Sequence, residues 1–110
     1  MNPTAVGVLL VVLCTIIEGF AQTFLKKSAL AASGKGLWIG LGLTFFVLEA
    51  AVYTEALGFL DVSTAYPVGS LSFVAVTILS RLLLGETISR SRWTGVGLIL
   101  IGASLVVAHA

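Results

Sequence analysis

Two glutamates stand where water is scarce. Glu18 lies inside an apolar run from Ala5 to Leu25, and Glu49 lies inside a second run from Gly36 to Phe59. A charged side chain near the bilayer centre costs about 3 kcal/mol on insertion scales, so such residues are rare and face a cavity or a partner. Gln22 follows Glu18 by four residues and Tyr53 follows Glu49 by four, which gives each acid a hydrogen-bonding neighbour on its own helical face. In a third run Tyr66, Ser70, Phe73 and Thr77 recur at helical spacing and make one wettable face. A carboxylate held away from water takes either a proton or a cationic group, and the two compete. That is the chemistry of a site that exchanges protons with substrate. The structural alternatives stay open at this point: a protonated Glu18 or Glu49 held by a neighbouring helix, and hydroxyls that bond between helices at about 0.6 kcal/mol per contact. Glu55, near the end of the second run, reads as interfacial.

The elements that position these residues are membrane spans. Of the 110 residues 58% are hydrophobic and 10% are charged, which is outside the range of soluble domains. A run of 21 residues such as Ala5–Leu25 is the length a helix needs to cross a bilayer. Its lack of Lys or Arg ahead of the apolar part, and the further apolar runs, argue against a cleaved leader. Four helices are expected, at about 5–25, 36–59, 64–84 and 91–108, in a single domain over 1–110. No segment alternates as a membrane β-strand does. The fold class is therefore all-α, a four-transmembrane-helix bundle. Pro67 is expected in the first turn of helix three, where its missing N–H is harmless. On helix four Gly95 and Gly102 lie two turns apart on one face, which reads as a packing or dimer surface. Cys14 reads as a small packing residue, and His109 as solvated. A single cysteine allows no internal disulfide and no cysteine-based metal site. No nucleotide loop, zinc spacing or nucleophile motif is present, and no basic cluster points to nucleic acid. Neither a metal nor a cofactor is expected, and an enzyme reading is weak.

Charge sets the expected orientation. Lys26, Lys27 and Lys35 belong to the first loop, Arg90 and Arg92 to the third, and Arg81 lies close enough to the end of helix three to snorkel there. All six Lys and Arg thus fall on one side, which the positive-inside rule makes cytoplasmic, with both termini outside. A chain so biased inserts one way only.

The run Glu18-Gly-Phe-Ala-Gln-Thr-Phe-Leu-Lys26, the length and the four-helix plan resemble the small multidrug resistance branch of the drug/metabolite transporter superfamily. The resemblance implies that Glu18 is the proton- and substrate-binding carboxylate, that Tyr66 is a binding-site tyrosine, and that Gly95 and Gly102 carry the dimer contact. Gly69 stands where the drug exporters have Trp, three residues after the tyrosine, so an aromatic wall for planar cations is missing. The stretch from Tyr66-Pro67 to Thr77, and the stretch from Leu84-Gly85-Glu86 to Gly102, are more similar to EamA-like small proteins. The same stretches resemble subunits of the flippase for aminoarabinose linked to undecaprenyl phosphate. Those subunits do not generally carry an acid at the position of Glu18, so the chain joins features of both groups.

The expected function is a small transporter or flippase of the bacterial inner membrane, moving an amphipathic lipid-linked or cationic amine substrate. Coupling to protons would run through Glu18, with Glu49, Tyr66, Gln22, Ser70 and Tyr53 shaping the site. The expected assembly is a parallel homodimer, or a heterodimer with an oppositely oriented paralogue, in contact with membrane lipids. A multidrug/proton antiporter for hydrophobic cations and a non-transporting accessory subunit are the alternatives.

Overall fold

The computed structural model describes residues 2–109. Five helices follow one another: α1 (Pro3–Leu30), α2 (Lys35–Ala56), α3 (Val62–Gly69), α4 (Leu71–Leu84) and α5 (Arg90–Ala108). With α3 and α4 taken together as one span, four segments are long and apolar enough to cross a membrane, and no strand occurs among the described residues. The architecture is the all-α four-span bundle expected from the sequence.

The first helix starts where Asn2 caps it: the Ala5 N–H donates to the Asn2 side-chain oxygen at 2.7 Å, and Pro3 occupies the first helical position. It then runs on past the expected end at Leu25 to Leu30, so Lys26 and Lys27 are helical. Its last two turns continue the faces set inside the membrane, and Lys26 therefore falls on the Glu18–Gln22 face. The second helix begins after Gly34, whose φ of +74° suits a residue without Cβ, and it closes earlier than expected, at Ala56.

The third span departs most from expectation. It begins at Val62 after Asp61, so Pro67 lies in the interior of α3 and not in its first turn. There Pro67 has no N–H to give to the Ser63 carbonyl. The helix breaks at Ser70, where the Ser70 N–H donates to the Pro67 carbonyl and the Phe73 N–H to the Ser70 carbonyl, tighter bonds of the 3₁₀ kind. The face drawn from Tyr66 through Thr77 is therefore not one continuous surface.

Packing centres on α1. A core of Val11, Ala56, Leu60, Ala65 and Val68 joins α1 to the end of α2 and to α3. Two glycines let helices approach α1 closely. A Cβ on Gly19 would lie 2.9 Å from the Ala75 Cβ on α4 and 3.3 Å from the Ala75 carbonyl carbon. A Cβ on Gly42 would lie 3.2 Å from the Ala21 carbonyl oxygen. Helix α5 sits at the edge, against α3 and α4. Its Gly95 and Gly102 have nothing within 4 Å of where a Cβ would stand, so within one chain they pack against no neighbour.

Candidate functional site

In hydrocarbon each polar group must find its partner inside the protein. The hydroxyls of this chain mostly do so within their own helix. Thr15 donates to the Val12 carbonyl, Thr23 to Gly19, Thr77 to Phe73 and Ser80 to Thr77, all at 2.6–2.9 Å. Those groups are satisfied, and hydroxyls bonded back to the preceding turn have little left to ask of a neighbour. Set against them, the hydroxyl of Tyr53 is buried and has no hydrogen-bond partner among the described residues.

That hydroxyl lies beside a cleft of about 350 Å³. Helix α1 contributes Cys14, Thr15 and Glu18, and α2 contributes Glu49 and Tyr53. The broken third span supplies Tyr66, Gly69, Ser70 and Ser72. The fold thus brings two carboxylates from different helices to one wall, half-buried, within an otherwise apolar bundle. The Cys14 thiol donates to the Glu49 backbone carbonyl at 3.6 Å, which ties α1 to α2 beside the acids. Tyr66 is 76% exposed and so stands at the mouth of the cleft. Gly69 keeps the interior open: a Cβ there would come no nearer than 4.0 Å, to the Tyr53 ring. Ser70, four residues after Tyr66, lines the same wall, and its hydroxyl donates to the Pro67 carbonyl. The cleft can take a cationic group between Glu18 and Glu49 while offering a phenol to a second polar atom.

Five of the six expected site residues, Glu18, Glu49, Tyr53, Tyr66 and Ser70, line this cleft. Gln22 does not. It faces a second, smaller cleft with Lys26, and it bonds to no described residue. Elsewhere on α2, Gly42 packs on Leu25, and Phe45 joins an aromatic group with Phe20 and Phe24. Thr77 is buried and locally bonded, and Phe73 does not line the cleft. Cys14, taken as a packing residue, and Thr15 and Ser72, not singled out, belong to the wall. Thr15 sits three residues before Glu18, a spacing that marks the same helical face. Ser72 lies three residues after Gly69, which lines the same cleft.

The fold and the site define a small multi-pass helical membrane protein with a polar, acid-lined cleft at mid-span. The chain belongs to the EamA-like transporter family, whose sequence profile matches residues 1–108. It is 36% identical over 109 residues to the probable 4-amino-4-deoxy-L-arabinose-phosphoundecaprenol flippase subunit ArnE of Serratia proteamaculans, covering 92% of this chain and 95% of that one. The proteins of the same name from Pseudomonas savastanoi pv. phaseolicola and Erwinia tasmaniensis are 31% and 29% identical. The first match covers 78% of this chain and 73% of the relative, and the second 94% and 98%. No solved structure matches the chain.

Proposed function

We propose that this chain is a subunit of a bacterial inner-membrane transporter that moves an amine-bearing, lipid-linked headgroup across the bilayer, coupled to protons at Glu18 and Glu49. The observation that carries the reading is the pairing of two carboxylates with an unpartnered phenol around one cleft. A protonated amine satisfies such a wall better than any neutral sugar hydroxyl, because hydrogen bonds to charged groups are about twice as strong as neutral ones. The relatives support this cargo class, since the substrate in their name joins an amino sugar, a phosphate and a polyprenol chain. A cleft with Tyr66 exposed at its mouth suits a cargo whose head enters the protein while its tail stays in lipid.

An entering amine displaces a proton, and alternating access then exposes the loaded cleft to each side in turn. The name of the relatives also includes the word subunit, which supports assembly with a second copy or a paralogue; the open face of Gly95 and Gly102 is available for it. The basic loops face the cytoplasm in this scheme. The antiporter reading for planar cations is less favoured because Gly69 leaves the wall without its aromatic ring.

The test is transport of a short-chain polyprenyl phosphate amino sugar into proteoliposomes, scored by exposure of its amine to an impermeant reagent. Glu18→Gln is expected to abolish transport while leaving insertion and assembly intact. Equal transport by wild type and variant would remove Glu18 from the coupling mechanism.

A further inference from the structure

We propose that the second cleft, at the basic end of the α1–α4 seam, is a loading site for a phosphorylated amine headgroup, with Lys26 holding the phosphate and Glu86 the amine. The proposal rests on the reading of the chain as a mover of lipid-linked headgroups. Unlike the mid-span cleft, which offers acids and no cation, this one offers a cation and an acid together.

The second cleft encloses about 240 Å³, and the residues that matter in it are Gln22, Thr23, Lys26, Ser80 and Glu86. The hydroxyl protons of Thr23 and Ser80 are already committed to the Gly19 and Thr77 carbonyls. That leaves the Lys26 ammonium and the Gln22 amide as donors for an anion, and the Glu86 carboxylate and the Ser80 oxygen as acceptors for an amine. Glu86 is held in place from its backbone: Gly85 turns the chain at φ +68°, and the Glu86 N–H donates to the Ser80 carbonyl at 3.2 Å. Lys26 and Glu86 face the same space, yet no ion pair within 4.0 Å joins them among the described residues. A cation and an anion lining one cleft without closing on each other fit a ligand that carries both charges. Ammonium–phosphate and amine–carboxylate contacts are the strong, charge-assisted kind.

Position adds the functional sense. Glu18, Gln22 and Lys26 lie four residues apart on one face of α1, so the two clefts are about 12 Å apart along the helix. Helices α1 and α4 line both, and in register between them the helices meet at Gly19 and Ala75. The Lys26 and Glu86 cleft thus lies about 12 Å along α1 from Glu18, with the Gly19–Ala75 contact between the two.

The test is native mass spectrometry of the full-length protein from neutral detergent, in the Glu18→Gln background so that the mid-span acid is silent. Dodecylphosphoethanolamine and dodecyl phosphate are the probes, with inorganic phosphate as competitor. Dodecylphosphoethanolamine is expected to bind more tightly than dodecyl phosphate. Lys26→Gln is expected to weaken both about tenfold, Glu86→Gln to reverse the preference between them, and Lys35→Gln, outside the cleft, to change neither. Equal losses in Lys26→Gln and Lys35→Gln would mean surface charge alone and would overturn the proposal. Inorganic phosphate displacing the probes at equal concentration would overturn it too, by making the site one for soluble anions. Binding of dodecylamine in the wild-type background reports on the mid-span cleft by itself. If Glu18→Gln and Glu49→Gln leave it unchanged, the acid-cleft reading fails, whatever Lys26 shows.

Discussion

Tyr53→Phe separates a binding group from a structural one by the sign of two effects. The phenol oxygen is buried and has no hydrogen-bond partner among the described residues, although the side chain packs against the core cluster around Val11. A buried hydroxyl without a partner costs about 1–3 kcal/mol. Phenylalanine keeps the ring and removes the cost, so the empty variant should be more stable than wild type by about 1 kcal/mol at the low end of that range. With cargo bound the balance reverses, since the phenol then contributes a hydrogen bond to a polar headgroup. Losing one bond of about 1–1.5 kcal/mol should weaken amine binding roughly five- to tenfold. The assay is thermal unfolding in dodecyl maltoside with and without dodecylamine, read beside equilibrium binding of the same amine. The expected pattern is a raised midpoint for the empty variant and a smaller gain on adding the amine. A lowered midpoint with unchanged binding would refute the reasoning, because the hydroxyl would then be a structural partner to some group of the protein.

Other outcomes follow from the same geometry. Gly69→Trp places a large ring over Tyr53, where the wall is now open, and should abolish amine binding while the protein still inserts; retained binding measured by calorimetry would place the amine elsewhere. Gly19→Leu brings a side chain against Ala75 backbone, where even a Cβ lies within 3.3 Å. It should cost more than about 2 kcal/mol through overpacking, seen as a drop in the unfolding midpoint well beyond that of Gly36→Leu, whose site is open. Reporter fusions at the C-terminus are expected to show one orientation, with the terminus outside; a mixture would contradict the charge-based topology.

Much of this arrangement was legible in the residues. The four spans follow from apolar runs of helix length, and the acid pair from the rarity of carboxylates inside them. Glu18, Glu49 and Tyr53 converge because each lies on a helical face whose period is fixed. The third span was harder to read. Pro67 looks harmless if the helix starts at Thr64, but the helix starts two residues earlier, and a boundary error of that size moves the proline from the first turn into the interior. The helix breaks at Ser70, and of the stripe drawn to Thr77 only Tyr66 and Ser70 line the cleft. Gln22 was misplaced for a different reason. Sharing a face with Glu18 did not mean sharing its cleft, because four residues set Gln22 about 6 Å further along α1, where it lines the next cleft with Lys26.

The central claim is that an amine and a proton compete for the acids of the mid-span cleft. It is tested most directly by proton release from the purified, weakly buffered protein when dodecylamine is added at constant amine charge, wild type beside Glu18→Gln. Release from the wild type and little or none from Glu18→Gln is the expected result. Equal release from both, with binding intact, would contradict the account, since the displaced proton would then come from somewhere other than Glu18.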